Sequence, residues 1–547
     1  MAKVLAITIL ALFAPRDAEF EKAKTEFRKA VAEIKGVGEA ADRLAGTDQK
    51  AAVDALLEGY GTLATQIKNL WNDKIRWVRE KESNGDFKID TKTTPPTIPN
   101  SDVKKYEAYL EAEKNSRIVE GRIMTIEAAR RGIVSALGRF KSDASVKELL
   151  KELSAGSPWQ RRAGVAEALG QMSSAEIPGA LCEAVRKDSE PQVKIAAMDA
   201  LRELKANAPD VAAAVIDQLK SDWWQVKSTA AGTIRALQLK DPTEALVEAL
   251  SKSDGRLRMD LNDALVALTG VDRHGDPAAW KSWWEANRDA VQKGTYSAKA
   301  GDGAADGPRN ATTFYGIPVT SKNVVFVLDR SGSMLEPSEW EIPQDVATGG
   351  ASGGPDIKKE GNKKMDIARW QLKRTLAMMP DGVEFNIVFF NHEVSVLSKE
   401  MMKLSQGTRK QAFEWIDRLE AVGGTNTFDA IEKAFGYSAT GAMGEKLAKG
   451  GVDSIFLLTD GMPNAGQVPK AQDILVKIRE MNRTRKVKIN TVGVFSTPAG
   501  PLKPGEVNEP EEGGKFLKQM SEESAGKYVS AGAGGGPMGP AGARKKP

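Results

Sequence analysis

Val324-Val325-Phe326-Val327-Leu328-Asp329-Arg330-Ser331-Gly332-Ser333 is the stretch that decides the fold. Its first five residues are apolar, β-branched or aromatic, and the run is too short for a helix that stands alone. It reads as a central strand of a parallel sheet. Open α/β sheets place their ligand sites in the loops at the carboxyl ends of such strands. Here the loop brings one carboxylate and two hydroxyls, Asp329, Ser331 and Ser333, out of a single tight turn. Hard divalent cations take that all-oxygen set, and Mg²⁺ in particular favours few carboxylates with positions left for water or a partner's oxygen. Taken alone, Asp-x-Ser-x-Ser is also ordinary turn composition, because Asp and Ser bond their own backbone.

Two further segments give the motif company. Gly423-Gly424-Thr425-Asn426-Thr427 precedes a helical pattern of Phe428, Ile431, Ala434 and Phe435, so Thr425 sits on a glycine-rich loop. Ser454-Ile455-Phe456-Leu457-Leu458-Thr459-Asp460-Gly461 is a second short apolar strand ending in an acid and a turn. Asp329, Ser331, Ser333, Thr425 and Asp460, in this order, resemble the metal-ion-dependent adhesion site of von Willebrand factor type A domains. The resemblance implies that the serines and the threonine ligate the ion or sit beside it. It also implies that the aspartates bind directly or through water, and that an acidic residue of a partner protein fills the open position. The spacing between the first two motifs is longer than is usual in that family, and residues 335–362 read as an insertion.

The chain has 547 residues, which a length prior divides into about three or four units. Its 78 basic and 74 acidic side chains nearly balance and give no reason to expect nucleic acid as a partner. Cys182 is the single cysteine, so no disulfide forms within the chain; it lies in an apolar helical pattern and reads as an inert buried thiol. A zinc site or a Ser-His-Asp triad has to be built around His274 or His392, neither of which stands in a recognisable motif.

Met1-Ala2-Lys3 followed by apolar Val4 to Ala14 has the length of a signal peptide and is too short to span a bilayer. Pro15 is unfavourable just after a cleavage site, so a buried amphipathic segment is the alternative. Residues 1–18 are thus a possible signal peptide, and 19–120 a long-helix region. In it Phe20 to Ile34 and Leu56 to Ile75 keep helical spacing, and glycines 36, 38 and 46 break them into an expected helical hairpin. Another helix is expected from about Ser101 to Phe140.

Residues 121–290 carry an internal repeat. Ala136-Leu137, Ala168-Leu169, Ala200-Leu201, Thr233-Ile234 and Ala264-Leu265 fall 32, 32, 33 and 31 residues apart. A cation precedes each second member by seven positions: Arg130, Arg162, Lys194, Lys227 and Arg258. With a second short helix between frames, each unit is a helix pair that buries its apolar face by stacking on its neighbours. The array resembles short HEAT repeats of bacterial proteins, and the resemblance implies that the cations pair with acids of the preceding turn to align the stack. Trp280, Trp283 and Trp284 either close the open end of this solenoid or form a stacking platform.

Residues 291–321 read as a linker, 322–530 as a doubly wound α/β (Rossmann-like) domain, and 531–547 as a disordered glycine-rich tail. Two long loops are expected as binding elements or surface decoration. The first, 335–362, carries Glu336, Glu339, Glu341 and Asp345, any of which could reach the ion. The second is 496–513, with glutamates at 506, 509, 511 and 512.

The fold class expected is therefore multidomain: an all-α region and HEAT-like solenoid, then the α/β type A domain. No general base has a motif and no phosphate-cradling loop exists, so no enzyme is expected. The function expected is divalent-metal-dependent protein–protein interaction in adhesion or an envelope scaffold. Mg²⁺ or Mn²⁺ would sit on Asp329, Ser331, Ser333, Thr425 and Asp460, a partner's acidic residue would complete the site, and the HEAT-like array would offer a second protein surface. No nucleic acid and no membrane span are expected. A secreted, periplasmic or cell-envelope location goes with this reading. The alternatives are a cytosolic adaptor for a ring ATPase and, less favoured, a metal-dependent hydrolase.

Overall fold

The apolar runs at 324–328 and 455–458 become strands buried on both faces, as a sheet covered by helices on both sides requires. The structure is a computed structural model that describes residues 2–85, 98–154, 156–239, 241–298, 312–340, 357–440, 446–496 and 508–532. These fall into two compact units. One comprises Met1–Ala249, Asp263–Thr269 and Asn287–Tyr296; the other comprises Leu250–Asn262, Gly270–Ala286 and Ser297–Pro547.

The first unit is helical. The apolar run at 4–14 opens one continuous helix, α1 (Ala2–Glu33). Among the described residues no helix is long and apolar enough to cross a membrane. The expected hairpin gains a member: α2 (Val37–Gly46) forms between α1 and α3 (Lys50–Asn84), and α3 packs chiefly on α4 (Val103–Leu137) rather than on α1. Gly38 and Gly46 lie inside α2 instead of breaking the chain; only Gly36, at φ +63°, makes the turn. Gly38 lets α2 and α4 meet at their backbones. A Cβ on Gly132 of α4 would lie 2.7 Å from Gly38 Cα. Between α3 and α4 the Lys74 ammonium meets the Glu120 carboxylate at 2.6 Å, both side chains buried.

The repeat follows as α5 (Asp143–Ser154), α6 (Trp159–Leu169), α7 (Ile177–Lys187), α8 (Pro191–Glu203), α9 (Pro209–Asp217), α10 (Trp224–Leu237), α11 (Thr243–Ser251) and α12 (Gly255–Thr269). The five residue pairs of the repeat lie on α4, α6, α8, α10 and α12, and all ten side chains are buried. The cations do not simply pair with acids of the preceding turn. Arg162 bonds both carboxylate oxygens of Asp188, at 2.8 Å each, on its C-terminal side, and also donates to Ser157 O. Lys194 and Arg258 likewise reach carbonyls just before their helices, Arg186 O and Ser253 O, whereas Arg130 donates to Tyr60 Oη. Arg162, Lys194 and Arg258 thus each satisfy a backbone carbonyl that precedes their own helix. Cys182 is fully buried, and burial pushes its thiol up to about 11, away from reactivity.

The second unit is built on a seven-stranded sheet. Its members are β3 (Asn323–Asp329), β4 (Glu384–Phe390), β5 (Val394–Val396), β6 (Met402–Lys403), β9 (Ser454–Thr459), β10 (Lys488–Gly493) and β11 (Tyr528–Ser530), in the order β11-β10-β9-β3-β4-β5, with β6 also on β4. The pairs from β11 to β4 are parallel, while β5 and β6 run antiparallel to β4. Two small hairpins, β1 (Thr313–Phe314) with β2 (Ile317–Pro318) and β7 (Ala439–Thr440) with β8 (Lys446–Leu447), stand apart from it. Helices α14 (Lys364–Met378), α15 (Gln406–Arg418), α16 (Thr427–Gly436), α17 (Ala471–Arg485) and α18 (Glu509–Glu523) alternate with the strands. The doubly wound expectation holds.

Two segments differ from the sequence reading. The part of 291–321 that is described is not a spacer: α13 runs Pro277–Gln292, and Phe314 is fully buried against Phe326 and Phe456 at ring separations of 5.4 and 6.0 Å. The helix expected from about Ser101 to Phe140 is α4, which runs through position 120. Glu509, Glu511 and Glu512 open α18 instead of lying on a loop; proline at 510 suits a first helical turn, and Phe516, Leu517 and Met520 bury the helix. Glu341, Asp345, Glu506 and the tail from 533 lie outside the described residues. Trp280, Trp283 and Trp284 of α13 are buried. Trp280 Nε1 donates to Asn262 Oδ1 at 2.8 Å, and with all three rings buried they are no exposed platform.

Candidate metal centre at the carboxyl edge of the sheet

From β3 the chain passes first to β4 on one side and only later to β9 on the other, so the crevice between β3 and β9 is the topological switch point of the sheet. Asp329 ends β3, and Asp460 follows β9 directly. Three loops are stitched together above them by backbone bonds. Gly332 N donates to Gly423 O at 3.0 Å, Val422 N to Arg330 O at 2.8 Å and Asn464 N to Thr425 O at 3.1 Å. Gly423 holds φ +82°, where a side chain would be strained and a Cβ would run into the His392 ring.

Asp329 is fully buried. Its Oδ1 accepts the Ser331 N–H at 2.7 Å and its Oδ2 the Thr459 hydroxyl at 2.5 Å. Burial, followed by the Asp460 carboxylate, pushes its pKa up to about 7. Ser331 Oγ and Ser333 Oγ lie 3.1 Å apart, and Ser333 Oγ donates to Asp460 Oδ1 at 2.8 Å, with Ser331 Oγ at 3.5 Å from the same oxygen. Thr425 is buried; its Oγ1 lies 3.6 Å from where a Cβ of residue 461 would stand, and its N–H donates to Asn464 Oδ1 at 2.8 Å. A short 3-10 turn, Gly332–Leu335, carries Ser333. All five expected residues therefore come to one place.

The sequence reading missed three participants. Thr459 orients Asp329, and Asn464 fixes the threonine loop. Lys364, at the start of α14 and nearly fully buried, sets its Nζ 2.8 Å from Asp460 Oδ2 and 2.8 Å from Glu336 Oε2. Burial works against the Lys364 charge, yet the two carboxylates outweigh it and raise the pKa. The hydrogen bond from Lys364 in turn lowers that of Glu336. Of the acids expected to approach the ion, Glu336 reaches this network and Glu339 is exposed. No sequence signal marks Lys364, because a lysine in a first helical turn ordinarily faces water.

The donor set fits a hard divalent cation: two carboxylates and three hydroxyls, all oxygen. Two buried acids so close together are also an arrangement that a cation relieves. Among the described residues no three or more His, Cys, Asp or Glu side chains are grouped so that they could hold a metal ion by themselves.

Two family models agree with this architecture. A family model for the von Willebrand factor type A domain matches residues 363–529, and one for HEAT repeats matches 127–202. The first match starts beyond the 329–333 loop and takes in Thr425 and Asp460. The chain thus carries a von Willebrand factor type A domain preceded by HEAT repeats. It is 27% identical over 151 residues to inter-alpha-trypsin inhibitor heavy chain 4 of Mus musculus, covering 28% of this chain and 13% of that one. With inter-alpha-trypsin inhibitor heavy chain H4 of Homo sapiens it shares 28% identity over 152 residues, covering 28% and 14%. Among solved structures, a von Willebrand factor type A protein from Catenulispora acidiphila aligns at 19% identity and a TM-score of 0.25, covering 39% of each chain. The chain thus spans about one seventh of the length of these two curated relatives. Type A domains are, as a class, protein-interaction modules.

Proposed function

We propose that the protein is a non-enzymatic interaction protein whose type A domain takes Mg²⁺ or Mn²⁺ on Asp329, Ser331, Ser333, Thr425 and Asp460 and binds a partner protein through an acidic side chain. The observation that carries this reading is the bond from Ser333 to Asp460, at 2.8 Å, which joins the first and third loops above the switch point. The candidate ligand atoms around it are all oxygen, as a hard cation needs. A bound ion supplies a Lewis-acidic position that accepts a carboxylate oxygen. The chain's own residues do the rest. Thr459 and the Ser331 N–H hold Asp329 in one orientation, and the bonds between Thr425 and Asn464 keep the threonine loop beside Asp460. The HEAT repeats offer a second surface for protein contacts.

Isothermal titration of Mg²⁺ and of Mn²⁺ into the full chain, wild type beside Asp329→Ala, tests the proposal. Binding in the wild type that the variant loses, with helical circular dichroism unchanged, is the expected result. Equal binding in both removes Asp329 from the site. Metal-dependent ester hydrolysis lost in the same variant would replace interaction by catalysis.

A further inference from the structure

The Lys364 ammonium sits on the very carboxylate that the divalent ion has to use. Asp460 turns Oδ1 to Ser333 and Oδ2 to Lys364, each at 2.8 Å. The ammonium is held from a second side by Glu336, whose Oε2 also accepts the Ser496 hydroxyl at 3.0 Å. Its backbone is fixed as well: Lys364 N donates to Glu336 O at 2.9 Å, Ser338 N to Asn362 O at 2.8 Å, and Pro337 bridges Lys363 in antiparallel register. These contacts place a buried positive charge at a helix start, where the backbone dipole disfavours one. Such a position persists only where local carboxylates compensate it, and removing one member of a buried pair leaves the other uncompensated.

We infer that Lys364 is a resident competing cation of the metal centre: it neutralises Asp460 in the ion-free protein, keeps divalent-ion affinity low, and thereby makes firm ion binding depend on the extra negative charge of a partner's carboxylate. The inference rests on the proposed function and specifies how the same site is regulated. Its physics is competition within one low-dielectric site, where charges interact far more strongly than in water. With Lys364 in place part of the negative charge of the site is already met, and a divalent ion meets an ammonium on a shared carboxylate. A partner carboxylate arriving at the ion adds negative charge beside both cations. Ion and partner therefore raise each other's affinity by the same factor.

The test measures Mn²⁺ affinity of the full chain, by titration and by thermal midpoint with and without the ion, for wild type, Lys364→Met and Lys364→Gln. The neutral variants are expected to bind Mn²⁺ roughly tenfold tighter or more, to melt lower without it, and to gain a larger rise in midpoint when it is added. Adding Asp329→Ala to Lys364→Met should abolish the gain, placing it at this site. Wild type and neutral variants with equal affinity, or variants that bind more weakly, overturn the inference while the metal centre itself stands. Absence of binding and of thermal shift in every protein overturns both. A variant that folds only when Mn²⁺ is present supports it; one that folds in neither condition assigns Lys364 to folding and overturns it.

Discussion

Ser333 Oγ donates to Asp460 Oδ1 at 2.8 Å, joining residues 127 positions apart across the switch point of the sheet. Neither residue reaches the other unless β3 and β9 lie side by side, with Val324 paired to Ser454 and Leu328 to Leu458. The strand order that an apolar run first suggests is thus what assembles the chemistry.

Ser333→Ala removes that donor and one of the proposed hydroxyl ligands. Its expected cost is about 1 kcal/mol of stability, that of a typical hydrogen bond. Mn²⁺ affinity should fall by about tenfold, since partners that orient metal ligands are commonly worth that much. Urea unfolding and Mn²⁺ titration read the two effects separately. Unchanged affinity beside the stability loss would leave Ser333 a purely structural residue.

Asp329→Asn keeps size and hydrogen bonding while removing a buried charge. The amide oxygen can accept the Ser331 N–H and the amide nitrogen can donate to Thr459 Oγ1, so both present bonds have replacements. Without metal the variant should be more stable than the wild type by about 1 kcal/mol or more, because it no longer places two carboxylates together in a dry site. It should bind no Mn²⁺. A variant that is both less stable and metal-competent contradicts this on each count.

Gly132→Ala and Gly38→Ala should differ although their residues face each other. A Cβ on Gly132 meets Gly38 Cα at 2.7 Å, backbone that cannot rotate away, whereas a Cβ on Gly38 meets Gly132 Cα at 3.7 Å, an ordinary contact. The first change should cost about 1–3 kcal/mol by overpacking. The second should be neutral or gain up to about 1 kcal/mol from helix propensity. Thermal unfolding of the two variants checks the asymmetry, and equal effects would mean that α2 and α4 do not touch there.

How much was legible in the sequence follows from how local each signal is. The motif at 329–333 was readable because strand, turn and ligand types lie within ten residues. The repeat was readable because one helix pair recurs at nearly constant spacing. Helix α2 was missed because Gly38 and Gly46 look like breakers, and the packing that makes Gly38 useful comes from Gly132 on another helix. Helix α18 was hidden by proline and glutamates that suit a first turn as well as a loop. The β1–β2 hairpin passed for linker because Phe314 finds its partners, Phe326 and Phe456, only in the folded core. Lys364 was invisible for the same reason, since its partner Asp460 lies 96 positions away. Whatever depends on distant pairing has no periodicity to betray it.

Asp453, just before β9, lies at the opposite, amino edge of the sheet from the proposed metal centre. Its Oδ2 accepts the N–H groups of Lys322 and Asn323 at 3.3 Å each, and Arg256 donates to its backbone carbonyl at 2.7 Å. Burial raises the pKa of its carboxyl, and the opposing pull of the Arg256 charge does not cancel that rise. The sign of the pH effect follows. A carboxyl with a higher pKa folded than unfolded holds its proton longer in the native state. Folding stability is therefore greatest below the unfolded value near 4 and falls as pH rises through the folded one. Asp453→Asn retains an oxygen for the two N–H groups and has nothing to titrate. Urea midpoints measured upward from pH 4 in the presence of EDTA should decline less for the variant than for the wild type. Parallel curves would show that Asp453 ionises in the folded protein as easily as in water.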